Sequence, residues 1–192
     1  MILASRNIHK LAEVRQILGR DDIELAPDSL GEPVEDDVTF AGNALIKARH
    51  VAKSTGEAVL ADDSGLCVDV LGGSPGVFSA RWCGRHGADD ENLALLLGQL
   101  ADIGDEYRAA QFVCAAVYVK PGVREIIATG TMKGMLLHEP RGDGGFGYDP
   151  IFQPDGYDVS AAELSAAEKN LISHRGQAFR ALALEMDRLG LN

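Results

Sequence analysis

Two adjacent carboxylates give this sequence its most distinctive chemical feature. Asp62 and Asp63 follow the apolar residues 58–61 and precede Ser64 and Gly65. We expect the strand over 58–61 to end there, where α/β sheets bind ligands. Neighbouring strand side chains point to opposite faces, so one carboxylate can support structure while the other meets a water or a divalent cation. A solvated Asp-Ser-Gly turn is the alternative interpretation.

A second segment, Ser5-Arg-Asn-Ile-His-Lys10, carries groups that bind anions. It lies at a predicted strand-to-helix junction, where free backbone N–H groups and the helix dipole attract phosphate. Lys10, on the first helical turn, could reach that phosphate. A capped helix with solvated charges is the alternative, and no G-x-x-x-x-G-K-[ST] phosphate loop occurs.

The glycine-rich segment Gly142-Asp-Gly-Gly-Phe-Gly147 matches the dinucleotide pattern G-x-G-x-x-G. That pattern needs a strand before it and a helix opening within it, whereas Pro150 disfavours helix at Asp149. We therefore predict a loop that presents Phe146, Tyr148 and Asp149 to a ligand, since an aromatic face can stack on a base. Phe146 could equally belong to the core.

Positive groups gather near the predicted last helix, which begins at about Ser173. Lys169 precedes this helix, and His174 and Arg175 lie at its start. These side chains can donate to a phosphate or a carbonyl oxygen. The five histidines are scattered and no G-x-S-x-G turn occurs, so a nucleophile triad is not indicated.

Hydrophobic periodicity predicts the elements that must position these groups. We expect a mixed α/β fold, with a central mixed β-sheet flanked by helices and two lobes around a substrate cleft, in one domain over 1–192. The predicted strands cover 2–5, 23–26, 58–61, 112–119, 125–131 and 135–138, and the predicted helices run from 7 to 19, 39 to 56, 89 to 100 and from 173 onward.

Composition limits the classes of function. The formal charge of -11 disfavours broad nucleic-acid binding, although a small anion can bind where positive side chains and a divalent cation gather. The sequence shows no signal peptide and no long apolar run, so we expect a cytoplasmic protein without a membrane segment. Three separated cysteines indicate neither a disulfide framework nor a zinc site.

Together these segments resemble the inosine triphosphate pyrophosphatase family, whose members hydrolyse non-canonical purine nucleoside triphosphates, across nearly the whole chain. The resemblance rests on five motifs in the family's order, which are Ser5-Arg-Asn-Ile-His-Lys10, Ala61-Asp-Asp-Ser-Gly-Leu66, Leu71-Gly-Gly-Ser-Pro-Gly-Val-Phe-Ser-Ala-Arg-Trp82, Gly144-Gly-Phe-Gly-Tyr-Asp-Pro150, and Ala167-Glu-Lys-Asn170 with Ser173-His-Arg175.

The resemblance implies a role for each matching residue. Asp63 would be the general base, or would position the attacking water, and would bind Mg²⁺ together with Glu35. Lys47 and Arg81 would add positive charge at the triphosphate, and Ser64 would touch the substrate. Phosphate and sugar would contact Ser5, Arg6, Asn7, Ile8, His9 and Lys10, and the base would be enclosed by Phe146, Gly147, Tyr148, Asp149, Lys169, His174 and Arg175. The resemblance also implies a homodimer.

One motif departs from the family pattern. The family commonly reads Phe-x-Glu-Asn-Ala where this chain has Phe40-Ala-Gly-Asn-Ala44, so Gly42 replaces an acidic residue on a predicted helix. Glycine also weakens a helix by about 1 kcal/mol relative to alanine. Because Asp63 and Glu35 are present, we expect activity to be retained, while the loss of a nearby carboxylate could loosen metal binding.

Base selectivity follows from donors and acceptors. Inosine and xanthosine carry a carbonyl at the purine six-position, which accepts hydrogen bonds, whereas the amino group of adenine donates them. His174 and Arg175 as donors would favour the carbonyl, and a buried mismatch costs about 1–3 kcal/mol.

Three other functions stay open on these residues. One is a pyrophosphatase for pyrimidine triphosphates. Another is a nucleotide-binding module that has lost turnover, an alternative supported by Gly42 in place of an acidic residue. A dinucleotide-dependent oxidoreductase is the least supported, because the glycine segment lacks the flanking strand and helix.

Overall fold

The structure is a computed structural model that describes residues 1–191. The strands are β1 Ile2–Leu3, β2 Glu24–Leu25, β3 Val59–Val68, β4 Ala109–Val119, β5 Ile126–Leu136 and β6 Phe152–Pro154. The helices are α1 Ile8–Leu18, α2 Phe40–Thr55, α3 Asp89–Gln99, α4 Ala166–Ile172 and α5 His174–Arg188. In residues 1–191, no helix is both long and apolar enough to span a membrane.

The strands form one six-stranded sheet in the order β2-β1-β3-β4-β5-β6. Strand β1 pairs in parallel with β2 and with β3, placing Ile2 beside Val59, and β5 pairs antiparallel with β6. Parallel neighbours need a crossover connection, and α1 and α2 lie in the connections that lead to β2 and β3. The mixed α/β fold predicted from the sequence is therefore confirmed.

The chain forms two compact units. Unit 1 comprises Met1–Asp63, Cys114–Gly130 and the chain from His174 onward, and unit 2 comprises Ser64–Val113 and Thr131–Ser173. This division agrees with the two lobes predicted from the sequence.

Unit 1 has a hydrophobic cluster on each face of its strands. Leu60 of β3 belongs to the cluster that contains Leu3 and Phe179 of α5, whereas its neighbour Val59 belongs to the cluster that contains Ala48 of α2. This division follows from the alternation of side chains along a strand. In unit 2 one cluster packs around Leu66, Leu96, Leu136 and Phe152.

Three helices begin at residues whose side chains cap the backbone. The side chain of Asn7 accepts hydrogen bonds from the backbone nitrogens of His9 and Lys10, and α1 ends at Gly19 with φ of 62°. Thr39 caps α2 by accepting from the nitrogen of Gly42. Ser165 and Glu168 form a complete capping box at the start of α4. These local bonds satisfy backbone donors that a helix terminus leaves without partners.

Two predicted strand boundaries are wrong. Strand β3 does not end at Asp62 but continues to Val68, so both carboxylates lie within a strand. Sheet pairing overrides the low strand preference of Asp, Ser and Gly. The separate strand predicted over 135–138 does not form, since residues 135 and 136 end β5 and residues 137 and 138 are not in a strand, while the short β6 was not predicted. Gly134 makes the β5–β6 pairing possible, because a Cβ there would clash with the carbonyl oxygen of Gln153.

Candidate functional site

Asp62 is buried and paired with two cations. Its carboxylate accepts hydrogen bonds from Lys10 Nζ at 3.2 Å and from Arg175 Nε at 3.1 Å, and only 2% of the residue is exposed. Burial alone would raise the pKa of Asp62, but the charges of Lys10 and Arg175 outweigh burial and hold it well below its usual range. Asp62 is therefore ionised at neutral pH and holds Lys10 and Arg175 in place.

Arg175 connects Asp62 to helix α1. Its Nη1 donates to Glu13 Oε2 at 2.6 Å while its Nε holds Asp62. Burial opposes the charge on Arg175, but the two carboxylates raise its pKa above the usual value. Cys114 lies beside the same carboxylate, with Sγ 4.0 Å from Asp62 Oδ2, and burial raises the pKa of its thiol. The thiol therefore stays protonated at neutral pH.

Asp63 has a different environment from its neighbour. Its Oδ2 accepts a hydrogen bond from Asn43 Nδ2 at 3.3 Å, and its Oδ1 lies 3.5 Å from Lys47 Nζ. Burial raises the pKa of Asp63 above its ordinary value, against the opposing charge of Lys47. Asp63 is consequently a better proton acceptor than Asp62, and the prediction that the two carboxylates have separate environments is confirmed.

Glu35 and Asp63 lie on either side of one positive group. Lys47 Nζ is 3.2 Å from Glu35 Oε2 and 3.5 Å from Asp63 Oδ1. Although burial disfavours its charge, the surrounding carboxylates raise the pKa of Lys47. Among residues 1–191 no group of three or more His, Cys, Asp and Glu side chains is arranged to hold a metal. Two carboxylates are, however, what Mg²⁺ usually takes from a protein, so Glu35 and Asp63 fit such an ion.

The segment from Ser5 to Lys10 precedes and opens helix α1. Ser5 Oγ accepts from the nitrogen of Asn7 at 3.1 Å, and the Asn7 side chain caps the helix. Arg6 donates to the carbonyl oxygen of Asp28, while Ile8 is 67% exposed and His9 is also exposed. Both interpretations of this segment are therefore compatible with its geometry, since it is a capped helix that also presents side chains to solvent.

In unit 2 the glycine-rich segment is a loop held by one buried carboxylate. Asp149, 3% exposed, accepts hydrogen bonds from the nitrogen of Phe146 at 2.8 Å and from Lys169 Nζ at 2.5 Å. The Lys169 ammonium group also lies 5.0 Å from the centre of the Phe146 ring. Phe146 is 38% exposed, so it lies at the surface of unit 2 rather than in the core. The loop thus presents an aromatic face.

Tyr148 and Gly147 fix the other side of this loop. The hydroxyl of Tyr148 donates to the carbonyl oxygen of Ser79 at 2.9 Å, and burial raises the pKa of that phenol. Gly147 has φ of 62°, which glycine adopts without strain, and its nitrogen donates to Asp89 Oδ2 at 3.2 Å. The hydrogen bond from the Tyr148 hydroxyl therefore holds the loop in place within unit 2.

The remaining predicted residues occupy three places. Ser64, in unit 2, is half-buried on β3, and Arg81 ends the short turn Gly76–Arg81 with its guanidinium 5.3 Å from the ring centre of Phe78. His174 begins α5 in unit 1 and is 6% exposed.

The structure brings the predicted residues together in two groups. Within unit 1, the residues joined by these contacts are Lys10, Glu35, Lys47, Asp62, Asp63 and Arg175. Within unit 2, they are Phe146, Asp149 and Lys169.

Two residues that hold the first group were not predicted from the sequence. Asn43 and Glu13 contact Asp63 and Arg175, respectively. Their signals were available, because Asn43 belongs to the Phe40-to-Ala44 motif and Glu13 lies three residues after Lys10 on the same helical face.

Comparison with known proteins gives consistent results. The sequence model of the Ham1 family matches residues 1–185. A relative named dITP/XTP pyrophosphatase from Streptomyces coelicolor is 55% identical over 190 residues, covering 95% of this chain and 94% of that protein. A protein of the same name from Mycobacterium bovis is 52% identical over 196 residues, covering 98% of this chain and 94% of its own length.

Solved structures are also similar to this fold. A HAM1 protein from Coxiella burnetii has a TM-score of 0.87 and 42% identity, covering 97% of this chain and 98% of its own. A nucleoside-triphosphatase, dITP/XTP pyrophosphatase, from Mycobacterium abscessus has a TM-score of 0.76 and 50% identity, covering 96% and 97%. With agreement in motifs, sequence and fold over nearly its full length, this chain belongs to the Ham1 family.

Proposed function

We propose that this protein hydrolyses inosine, deoxyinosine and xanthosine triphosphates to the monophosphate and pyrophosphate, removing them from the nucleotide pool. The observation that carries the proposal is the difference in surroundings between two adjacent carboxylates. Asp62 is held ionised by two cations, whereas burial raises the pKa of Asp63 beside Lys47. The names of the relatives, dITP/XTP pyrophosphatase, support the same substrate class.

Asp63 is the proposed base for the attacking water. The Asp63 carboxylate would accept a proton as the water oxygen bonds to phosphorus and the bond to the pyrophosphate oxygen breaks. Asn43 and Lys47 hold the two oxygens of Asp63 and so fix its direction. The catalytic contribution of this group is therefore orientation together with basicity.

Glu35 and Asp63 are the proposed ligands of Mg²⁺, with their oxygens on either side of Lys47. A bound Mg²⁺ would neutralise charge on the phosphate oxygens and on the pyrophosphate leaving group. Lys47 would share that task, because its raised pKa keeps the ammonium charged.

Unit 1 would also hold the phosphates and the sugar. Lys10 is kept in place by Asp62, at the first turn of α1, where the helix dipole favours an anion. The remaining proposed contacts with phosphate and sugar are Ser5, Arg6, Asn7, Ile8 and His9. Ser64 is a proposed contact with the substrate, and Arg81 is proposed to add positive charge at the triphosphate.

Unit 2 supplies the proposed platform for the base. The exposed face of Phe146 can stack on a purine, and Asp149 with Lys169 keeps the loop in that conformation. Gly147 and Tyr148 complete the loop. His174 and Arg175 are the proposed donors to the six-carbonyl, and Arg175 has the added task of holding Asp62.

The direct test measures pyrophosphate release from ITP, XTP and dITP beside ATP, GTP and dCTP, with Mg²⁺ and with chelator. Metal-dependent release from the first three alone is expected. Release from dCTP instead would indicate a pyrimidine pyrophosphatase. Tight ITP binding without pyrophosphate release would indicate a nucleotide-binding module. The Asp63→Asn variant is the control for a contaminating hydrolase.

The proposal further includes a single functional domain over 1–192 that acts in the cytoplasm as a homodimer and binds no nucleic acid or membrane. Light scattering coupled to size exclusion measures the oligomeric state. A monomeric mass at micromolar concentration would contradict the dimer.

A further inference from the structure

Gly42, in the first turn of helix α2, lies against the carboxyl group of Asp37, an exposed side chain that would have to move to admit a Cβ. A Cβ built on its backbone lies closer than 3.0 Å to all three carboxyl atoms of Asp37. Gly98 of helix α3 differs, because a Cβ there meets nothing within 4 Å. The carboxyl group of Asp37 therefore occupies the space that a side chain at position 42 would need.

The Asp37 carboxylate is held where it lies. Its Oδ1 accepts hydrogen bonds from Thr39 N at 2.8 Å and from Thr39 Oγ1 at 2.7 Å, and these bonds lower the pKa of Asp37. Thr39 Oγ1 in turn accepts from the nitrogen of Gly42 at 3.0 Å, which caps α2. Displacing Asp37 would therefore break two hydrogen bonds and disturb the cap.

The same turn is linked to Asp63. The backbone nitrogen of Asp37 donates to Asn43 Oδ1 at 3.0 Å, and Asn43 Nδ2 donates to Asp63 Oδ2 at 3.3 Å. Asn43 is only 1% exposed, so its amide has little freedom to rotate. The position of the Asp37 turn consequently sets the direction of the amide that holds Asp63.

We propose that Asp37 and Gly42 form an interlocked pair that positions Asp63 through Asn43. Position 42 lacks the glutamate of the Phe-x-Glu-Asn-Ala pattern because the carboxylate of Asp37 fills the space that a side chain at this position would need. An acidic residue restored at 42 alone would push this turn away from Asn43. The interlock follows from contacts within unit 1, and its catalytic consequence rests on the function proposed above.

A thermal-unfolding cycle tests the interlock. Alanine normally stabilises a helix relative to glycine, so Gly98→Ala should raise the Tm. Gly42→Ala should instead lower the Tm by about 2–4 °C or more in the parent protein, and should raise it when combined with Asp37→Gly. Helix propensity alone would not make the effect of Gly42→Ala on the Tm change sign between the parent protein and Asp37→Gly. If Gly42→Ala raises the Tm of the parent protein, as Gly98→Ala does, the interlock is refuted.

A second experiment tests whether the interlock positions Asp63. In Gly42→Glu we expect the side-chain amide signals of Asn43 in ¹H–¹⁵N spectra to shift, and kcat to fall about tenfold or more with a raised Mg²⁺ half-saturation. Combining Gly42→Glu with Asp37→Gly should restore both. Asp37→Asn keeps the shape and one acceptor oxygen, so it should behave like the parent protein, as should Asp36→Gly at the exposed neighbouring position.

The outcomes separate the two proposals. Unchanged Asn43 signals and unchanged kcat in Gly42→Glu would overturn the positioning role. A parent protein without turnover on any nucleotide would remove the proposed function, whereas the sign reversal in Tm and the Asn43 signals would still report the interlock. Should Gly42→Glu alone fail to fold, recovery of folding by Asp37→Gly would support the same inference.

Discussion

The two units use buried carboxylates differently. In unit 1, adjacent Asp62 and Asp63 share a strand but not an environment, because Lys10 and Arg175 neutralise the first while burial makes the second more basic. In unit 2, the single carboxylate of Asp149 binds a backbone nitrogen and Lys169. In unit 1, Asp63 is thus available for chemistry. In unit 2, Asp149 instead fixes the shape of a loop.

Asp63 and Phe146 are also fixed in position by different means. The strand position of Asp63 is fixed by its backbone, so its basicity can be set by the groups around it. Phe146 lies on a loop, where an aromatic side chain needs an internal anchor to keep its face toward solvent, and Asp149 provides that anchor. Substitutions on the two sides of the comparison should therefore affect different measured quantities.

The largest effect should come from Asp63→Asn. Asparagine has nearly the same shape but cannot take a proton from water, so kcat for ITP should fall by about 10²–10⁴-fold. The Tm should change less than in a variant of Asp62, because Lys47, the cation beside Asp63, keeps Glu35 as a second carboxylate partner. Pyrophosphate release and circular dichroism measure the two quantities. Turnover close to that of the parent protein would remove Asp63 from the proposed role.

Asp62→Asn should show the opposite behaviour. Removing the charge leaves Lys10 and Arg175 without their shared carboxylate, and breaking a buried ion pair costs about 3–5 kcal/mol. Urea unfolding measures the loss. Asp22→Asn, which removes the partner of Arg20 in an exposed pair, is the control and should leave the midpoint unchanged. Equal effects of the two variants would contradict the structural role of Asp62.

A smaller effect is expected from Phe146→Ala in unit 2. Stacking of a base on an aromatic side chain contributes about 1–3 kcal/mol, so kcat/KM for ITP should fall by about 5- to 150-fold, mostly through KM. Tyr107→Ala, at an exposed aromatic position in the same unit, is the matched control. An unchanged KM in Phe146→Ala would mean that this face does not contact the base.

The sequence predicted the elements and most members of both groups for identifiable reasons. Caps such as Asn7 and Thr39 and the helical spacing of apolar residues are local signals, so α1 and α2 were predicted nearly to their ends. The extent of β3 was not, because Asp62 to Gly65 becomes strand only through pairing with distant neighbours. Local preference cannot report such pairing.

Within the site, the sequence indicated which residue types gather but not how charge is divided among them. The predicted separation of Asp62 from Asp63 followed from strand alternation. The cations on Asp62 come from Lys10 and Arg175, which are 52 and 113 residues away. The meaning of Gly42 was also hidden, since the sequence shows a missing carboxylate and only the structure shows Asp37 in its place.

Acid unfolding gives the finest test of the comparison within unit 1. Because Lys10 and Arg175 overcome burial and hold the pKa of Asp62 below the unfolded value of about 3.9, its contribution is present above that pH. It is lost as pH falls further, at up to about 1.4 kcal/mol per pH unit. Asp63, whose pKa burial raises, contributes with the opposite sign, so its stabilisation is present below the unfolded pKa and lost as pH rises.

Urea unfolding between about pH 5 and pH 3 in chelator should therefore distinguish the carboxylates. Relative to the parent protein, Asp62→Asn should lose less stability on acidification, and Asp63→Asn should lose more. The two variants remove charges one residue apart, so general charge repulsion would change both slopes in the same direction. If the two variants change the pH dependence of the unfolding free energy in opposite directions, the two carboxylates must have different local environments, as they do in the structure.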